Sequence, residues 1–166
     1  MRHFVLFKTI LVLLLAVNAN ATPNIGNVTE VEGSAAVFRK ELRSEAGVDF
    51  GIESYDDVRT AQGRIALQFL DDSTLKLTEH SSIVIDEFVY DANPSKSKLA
   101  LSFASGTARF ITGALGKIDK ENIKIRTPTA EIAIRGTDFT ATVDEIGRTL
   151  IILLPNELGL TSGEIL

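Results

Sequence analysis

The chain has 166 residues, 45 % of them hydrophobic, and a net charge of −5. This length fits one domain with a sizeable core, and the hydrophobic content excludes an intrinsically disordered chain. The acidic balance argues against binding to nucleic acid or to an anionic membrane surface, since both need a basic patch. The chain contains no cysteine, which excludes disulfides, thiol nucleophiles, cysteine-ligated metals and thiol redox chemistry.

The first 21 residues have the three-part pattern of a secretory signal peptide. Arg2 and Lys8 give a basic start, Thr9–Val17 is an apolar run, and Ala19 and Ala21 are the small residues of a cleavage site, so we expect cleavage after Ala21. The apolar run is shorter than the roughly 20 residues of a membrane-spanning helix, although an uncleaved anchor is the alternative. Cleavage would take 2 from the 17 basic residues and leave 22 acidic ones, a net charge of −7. We expect a periplasmic or secreted protein.

The remaining residues, 22–166, are predicted to form a single domain of short β-strands. Apolar residues alternate with polar ones, and acidic, serine or glycine turns separate the runs. The expected strands are 64–70, 74–78, 82–89, 98–103, 106–111, 122–126, 131–135, 138–143 and 148–154. Only Phe38–Ala46 fits a turn of helix.

Regular short strands of this kind predict an all-β domain, which could be a sandwich, a barrel or a solenoid. Recurrent strand–turn units favour a β-solenoid-like stack of short strands, with a β-sandwich as the alternative. The last turn–strand pattern, residues 158–166, is that of a fragment or of a deliberately short final strand. Such a strand would leave an open β edge through which the protein could self-associate.

Three segments within residues 28–154 carry recognisable motifs. They are Val31–Val37, which is centred on Gly33, Val58–Leu77, and Arg126–Ala130 with Ile134–Phe139. On these segments, residues 28–154 resemble the FecR-like domain, a bacterial envelope module. The first resembles its opening glycine-centred strand, the second its glycine–arginine and Phe-x-Asp-Gly-Ser segment, with Ala61 and Asp72 at positions where glycine is usual, and the third its late hallmark.

The resemblance implies a β-solenoid-like periplasmic module used for protein contacts. FecR-type transmembrane regulators also carry a cytoplasmic anti-sigma segment and a membrane helix, whereas here the domain is expected to follow a cleavable signal directly. The regulator's signalling role is therefore not carried over whole. The motif residues are expected to be mainly structural, with Arg135 the candidate for a ligand or partner contact. They are Gly33, Gly63, Arg64, Asp71, Ser73, Thr127, Pro128, Ala130, Arg135, Gly136, Thr137 and Phe139.

Candidate chemistry is sparse. Asp71 and Asp72 with Glu79 and His80 could be read as metal ligands, but adjacent aspartates point opposite ways in an extended chain and no zinc or calcium spacing is met. We therefore expect polar turns there, and a solvated turn at Asp56-Asp57. His80 is the one histidine that would remain after processing, and no serine lies in a nucleophile elbow. We expect no enzyme activity, no cofactor and no bound metal.

Three functions are compatible with these features. The first is an exported, non-catalytic protein-interaction module of the bacterial cell envelope, whose partner is an unidentified envelope protein. The second is an accessory of envelope-stress or metal-uptake signalling. The third is a protein that binds cell-wall or surface polysaccharide, which the aromatic content of 7 % and the lack of tryptophan disfavour, because sugars are usually held by aromatic stacking.

Overall fold

The computed structural model describes residues 22–117, 122–135, 138–155 and 164–165. The described residues form strands and two short 3-10 turns, Pro94–Lys96 and Ala114–Lys117, which confirms the all-β prediction. The strands are β1 Asn24–Arg39, β2 Leu42–Glu45, β3 Gly51–Glu53, β4 Asp57–Phe69, β5 Thr74–Leu77, β6 Ser82–Val89, β7 Lys98–Ile111, β8 Ile123–Arg126, β9 Glu131–Arg135, β10 Asp138–Val143, β11 Thr149–Leu153 and β12 Glu164–Ile165.

Three long strands, β1, β4 and β7, organise the fold, and a glycine lies at the irregular point of each. β1 pairs with β4 along most of its length, and the register shifts just after Gly33, which lies opposite Gly63. Gly33 has a φ of 71°, and a Cβ there would lie 2.2 Å from the carbonyl oxygen of Gln62. Gly106 has a φ of 92° in β7, next to another irregularity. These positions let the strands change direction, which a side chain would prevent.

The strand pairings close on themselves. β5 and β6 each pair with both β4 and β7, so the ladders form a ring β4–β5–β7–β6, the centre of a small closed barrel. The other strands extend it: β1 pairs with β4 and carries β2 and β3, and β7 carries β8 and β10. β9 and β12 continue beyond β8, and β11 lies beyond β10.

The structure does not show the stacked coils expected of a solenoid. A solenoid pairs equivalent strands of successive coils in parallel, whereas the ladders between the described strands are antiparallel except for β7–β8. The tight turns explain the difference, because each reverses the chain beside the strand it has just left. The sequence also divides β7 into two strands, where the structure has one that continues through Gly106.

The core lies inside this bent sheet and is made of the inward side chains of successive strands. Phe69, at the end of β4, stacks on Phe88, near the end of β6, with ring centroids 5.2 Å apart. Phe110 and Phe139 meet at 5.9 Å on the neighbouring strands β7 and β10. Because β4 and β6 pair only near the start of each, the contact between Phe69 and Phe88 brings together parts of the sheet that are not adjacent in the ladder.

Phe38–Ala46 forms a hairpin between β1 and β2 and not the turn of helix that the sequence suggests. Lys40 and Glu41 have φ values of 48° and 69°, the left-handed pair that a tight two-residue hairpin requires. The predicted signal peptide, residues 1–21, lies outside the described residues, as does the chain end except for β12. No helix in the described part of the chain could span a membrane.

Candidate functional site

The glycine–arginine motif of the middle segment lies at the bend between β1 and β4. Gly33, Gly63 and Arg64 line a cavity of about 500 Å³ together with Glu32 and Gln62 among others. Arg64 lies opposite Glu32 in the ladder and forms an ion pair with it. The hydrogen bond to the Glu32 carboxylate raises the pKa of Arg64 above its usual value. Both glycines allow the close approach of the two backbones, so the motif has a structural role at this point.

Asp71 and Ser73 form a buried hydrogen-bond network between the β4–β5 turn and the segment after β7. The carboxylate of Asp71 accepts from the Ser73 backbone N–H at 3.1 Å, the Ser73 Oγ at 2.6 Å and the Leu115 backbone N–H at 3.0 Å. The Ser73 Oγ accepts in turn from the Gly113 N–H at 2.8 Å. A Cβ on Gly113 would lie 2.1 Å from the Asp71 carbonyl oxygen. These contacts join two loops that are far apart in sequence, because Ser73 and Gly113 are separated by 40 residues.

A second polar network, which sequence reasoning missed, holds the bend of β7. The Thr60 Oγ1 accepts from the Ser81 N–H at 2.9 Å and donates to the Thr78 carbonyl oxygen at 2.5 Å. The Ser81 Oγ accepts from the Thr107 N–H at 3.1 Å. Gly106 leaves room for this serine, because a Cβ there would lie 2.2 Å from the Ser81 Oγ.

The late motif forms a turn between β8 and β9. The Ala130 N–H donates to the Thr127 Oγ1 at 3.1 Å, and the Thr127 N–H donates to the Ala130 carbonyl oxygen at 2.8 Å. The turn packs on the β10–β11 connection, where the Thr149 Oγ1 donates to the Thr127 Oγ1 at 2.8 Å. Pro128 lies next to Gly147, whose added Cβ would be 3.2 Å from the proline Cβ. The motif therefore fixes the position of one hairpin against another.

The other late motif residues are only partly placed. Phe139 is buried and contacts Phe110. Arg135 pairs with Glu164 in the β9–β12 ladder, and its expected role in a partner contact stays a prediction. Gly136 and Thr137 lie outside the described residues.

Asp56 is buried and ion-paired, so the expectation of a solvated turn at Asp56-Asp57 is wrong for this residue. Arg39 donates to both carboxylate oxygens, from Nε at 2.8 Å and from Nη2 at 2.7 Å, and the Glu53 backbone N–H donates to the carboxylate at 2.8 Å. The hydrogen bond with Asp56 raises the pKa of Arg39 above its usual value. Sequence reasoning missed the pair because its members are 17 residues apart and carry no motif.

The acidic residues near His80 do not converge. Asp71 is occupied within the buried network, whereas Asp72, Glu79 and His80 are exposed in turns. Asp72 and His80 have left-handed φ values of 65° and 55°, as expected for tight turns. In the described part of the chain, no three side chains of histidine, cysteine, aspartate or glutamate come together as metal ligands.

A continuous outward surface crosses six strands on the side of the bend that contains β5 and β10. The register aligns one residue from each strand in a row, and a second row runs beside it. We call these side chains the outer face. They are Glu30, Lys76, Arg109, Thr140 and Ile152 in the first row, to which β4 contributes the small, buried Ala66, and Glu32, Arg64, Thr107, Thr142 and Leu150 in the second.

The outer face has an unequal distribution of charge. Arg109 forms a bidentate ion pair with Asp138, and the hydrogen bond with that carboxylate raises the pKa of Arg109 above its usual value. Lys76 lies directly opposite Arg109 in the ladder and forms no ion pair with any described residue. A shallow, mostly apolar cavity of about 280 Å³ lies between these side chains and Ala66. The face therefore presents cationic groups at its centre and apolar side chains on β11.

Comparison with known families connects these motifs to one of them. The sequence matches the family described as FecR protein over residues 56–157, more than half of the chain. The match contains the Asp71–Ser73 and Thr127–Ala130 motifs but not the opening segment Val31–Val37, although β1 pairs with β4. Searches of curated proteins and of solved structures found no match. From the match over these residues, we conclude that the chain belongs to the FecR family.

Proposed function

We propose that this protein is an exported, non-catalytic protein-interaction module of the bacterial cell envelope, and that it docks a protein partner through its outer face. The observation that carries the proposal is the row of aligned residues across six strands, with Lys76, which pairs with no carboxylate among the described residues, at its centre. Membership of the FecR family supports the envelope setting and a role in envelope signalling.

The composition of the outer face supports docking of a protein. Protein interfaces combine apolar side chains with polar groups, and arginine is enriched in them. Here Arg64 and Arg109 are held in place by carboxylates, while Leu150 and Ile152 supply exposed apolar area. Lys76 carries a charge that no described residue neutralises, so the favoured partner surface is acidic. Electrostatic complementarity of this kind mainly sets specificity and the rate of association.

The non-catalytic part of the proposal rests on what the polar motif residues do. Asp71 and Ser73 are hydrogen-bonded to each other and to the backbone N–H groups of Gly113 and Leu115. Thr127 is likewise bonded within its own turn. Groups that are already satisfied by the fold are poorly placed to bind a substrate or move a proton.

The proposal is tested by crosslinking in cells. A photo-reactive amino acid replaces Lys76 in one strain and Lys96, which is exposed in the Pro94–Lys96 turn, in another. We expect position 76 to capture a specific envelope protein and position 96 to capture none. In strains with a probe at Thr140, Lys76→Glu should reduce the yield about tenfold and Lys96→Glu, with the same charge change, should not.

Capture that is equal at positions 76 and 96, or that is unchanged by Lys76→Glu, would contradict docking through this face. Binding of the purified protein to isolated cell-wall polysaccharide, with no protein captured, would favour the polysaccharide alternative. The exposed aromatic residues of the described chain, Tyr55 and Tyr90, are not part of the outer face. A change in transcription of an uptake system after deletion of the gene would support the signalling role.

A further inference from the structure

β11 is an apolar edge strand. Among the described residues it pairs with β10 and with no other strand. Leu150 and Ile152 project from the outer face with 60 % and 49 % of their surface exposed, while Ile151 and Leu153 pack inward against the core. Thr149–Leu153 carries no charge and no proline, and its ladder with β10 has no bulge. Folded proteins normally protect an exposed edge with one of these devices.

The opposite edge of the sheet is protected in the usual way. β2 contains Arg43 and Glu45, which form an ion pair, and its residues are exposed. β3 is only three residues long and ends in Glu53, which is paired with Arg39. β11 therefore lacks the protection that β2 and β3 have.

The hydrogen-bonding phase of β11 shows which of its backbone groups face the open edge. The Leu154 N–H donates to the Asp138 carbonyl oxygen, and the Asp144 N–H donates to the Arg148 carbonyl oxygen. In an antiparallel ladder, hydrogen-bonded pairs alternate with non-hydrogen-bonded ones. Even-numbered residues of β11 therefore bond to β10, and the N–H and C=O groups of the odd-numbered residues, 149, 151 and 153, point away from it.

We propose that β11 is a dimerisation strand, which pairs antiparallel with β11 of a second copy of this chain around a two-fold axis at Ile151. In this register Ile151 pairs with its own counterpart, and Thr149 pairs with Leu153 of the other copy. The N–H and C=O groups of residues 149, 151 and 153 in each copy then form hydrogen bonds with those of residues 153, 151 and 149 in the other. A shift of register would lose pairs at one end, because Pro155 follows with no N–H to donate. This inference is independent of the proposed partner docking.

The side chains of β11 fit the same register. The symmetric pairing puts Leu150 of each copy opposite Ile152 of the other on the outer face, and the inward Ile151 side chains adjoin across the axis. Apolar cross-strand pairs of this kind stabilise a sheet. A second copy is the favoured partner because β11 is complementary to itself. In the symmetric pairing its outward backbone groups hydrogen-bond to each other, its apolar side chains lie opposite apolar side chains, and no like charges meet.

The dimer is expected to be weak. The paired strand would be about 17 Å long, at about 3.4 Å per residue. An interface built on it falls at the small end of specific protein interfaces, below about 1,200 Å² in total. Dimerisation should therefore depend on concentration in the micromolar to millimolar range, and joining two sheets would extend the outer face across both copies.

The test compares four versions of the full chain by sedimentation across protein concentration. Leu150→Glu with Ile152→Glu puts like charges opposite each other in the proposed register. This double substitution should raise the dissociation constant of the dimer by at least about tenfold. Leu150→Lys with Ile152→Glu puts opposite charges there and should recover most of that loss. Leu42→Glu, which places a charge on another exposed leucine, at the edge strand β2, should leave dimerisation unchanged.

Hydrogen exchange of the unmutated protein gives a second readout that needs no folding of a variant. The amides of Thr149, Ile151 and Leu153 should gain protection as concentration rises, whereas those of Leu150 and Ile152 are already protected by β10. A protein that stays monomeric at about 1 mM overturns the proposal, as does a dimer that is unaffected by the two glutamates. Protection of the odd-numbered amides at every concentration also overturns it, since the chain's own residues 156–163 would then cover the edge.

Discussion

Asp71→Asn tests the structural role assigned to the middle motif. The carboxylate is 1 % exposed and accepts three hydrogen bonds, two from Ser73 and one from the Leu115 N–H. An amide of the same shape presents one NH₂ group in place of an oxygen. Either orientation therefore leaves the Ser73 N–H or the Leu115 N–H without an acceptor.

The expected cost follows from that geometry. A buried donor without a partner costs about 1–3 kcal/mol, and replacing charged by neutral hydrogen bonds costs about 1 kcal/mol more. We expect Asp71→Asn to lower the free energy of unfolding by about 3 kcal/mol, a large part of the roughly 5–15 kcal/mol typical of a domain. Because the chain has no tryptophan, urea unfolding is best followed by far-UV circular dichroism.

The adjacent aspartate supplies the control. Asp72 is exposed, and among the described residues its side chain accepts from the Gln68 Nε2 alone, at 3.3 Å. Asparagine tolerates its left-handed φ of 65°, so Asp72→Asn should change stability by less than about 0.5 kcal/mol. Equal effects of the two substitutions would refute the assignment of Asp71 to a buried structural network.

Three further substitutions test other contacts. Asp56→Ala should cost about 3 kcal/mol in urea unfolding, because it leaves Arg39 without its buried partner; a loss below about 1 kcal/mol would mean that the pair contributes little. Gly106→Ala should lower the free energy of unfolding by at least about 2 kcal/mol, because Gly106 has a φ of 92° and an added Cβ would overlap with Ser81. An unchanged urea midpoint would contradict that geometry. The hydrogen bond from Arg148 lowers the pKa of Asp144 below its usual 3.8. The contribution of this hydrogen bond to the stability of the folded protein is therefore present at neutral pH and is lost as the pH falls through the lowered pKa. Arg148→Ala should raise that pKa towards 3.8 in a carboxyl NMR titration, and an unchanged value would show that the backbone amides alone determine it.

Local pattern was a good guide to the strands. Alternation places Ser82–Val89 and Glu131–Arg135 at their observed bounds, and the strands expected at 64–70 and 74–78 are found as the two sides of a hairpin. It failed where the turn carries no sequence signal. Lys40-Glu41 adopts left-handed φ values without glycine or asparagine, so the β1–β2 hairpin could not be recognised.

The candidate surface could not be predicted, because its members come from six strands whose alignment depends on register. Lys76 and Arg109 are 33 positions apart and become neighbours only in the β5–β7 ladder. Likewise, the burial of Asp56 depends on Arg39, which lies on a different strand. Side chains that interact over such separations leave no periodic pattern in the sequence.

The sequence by itself determined the all-β class, the turns that carry acidic, serine or glycine residues, and the family motifs, since each depends on the preferences of neighbouring residues. Only the tertiary structure decided that the strands close into an antiparallel barrel, which aspartates are buried and which edge is left open. Alternation says that a strand has an inward and an outward face, but not which strand lies beside it. That choice is made by long-range packing, by the backbone bends at Gly33 and Gly106, and by the hydrogen-bond phase of each ladder.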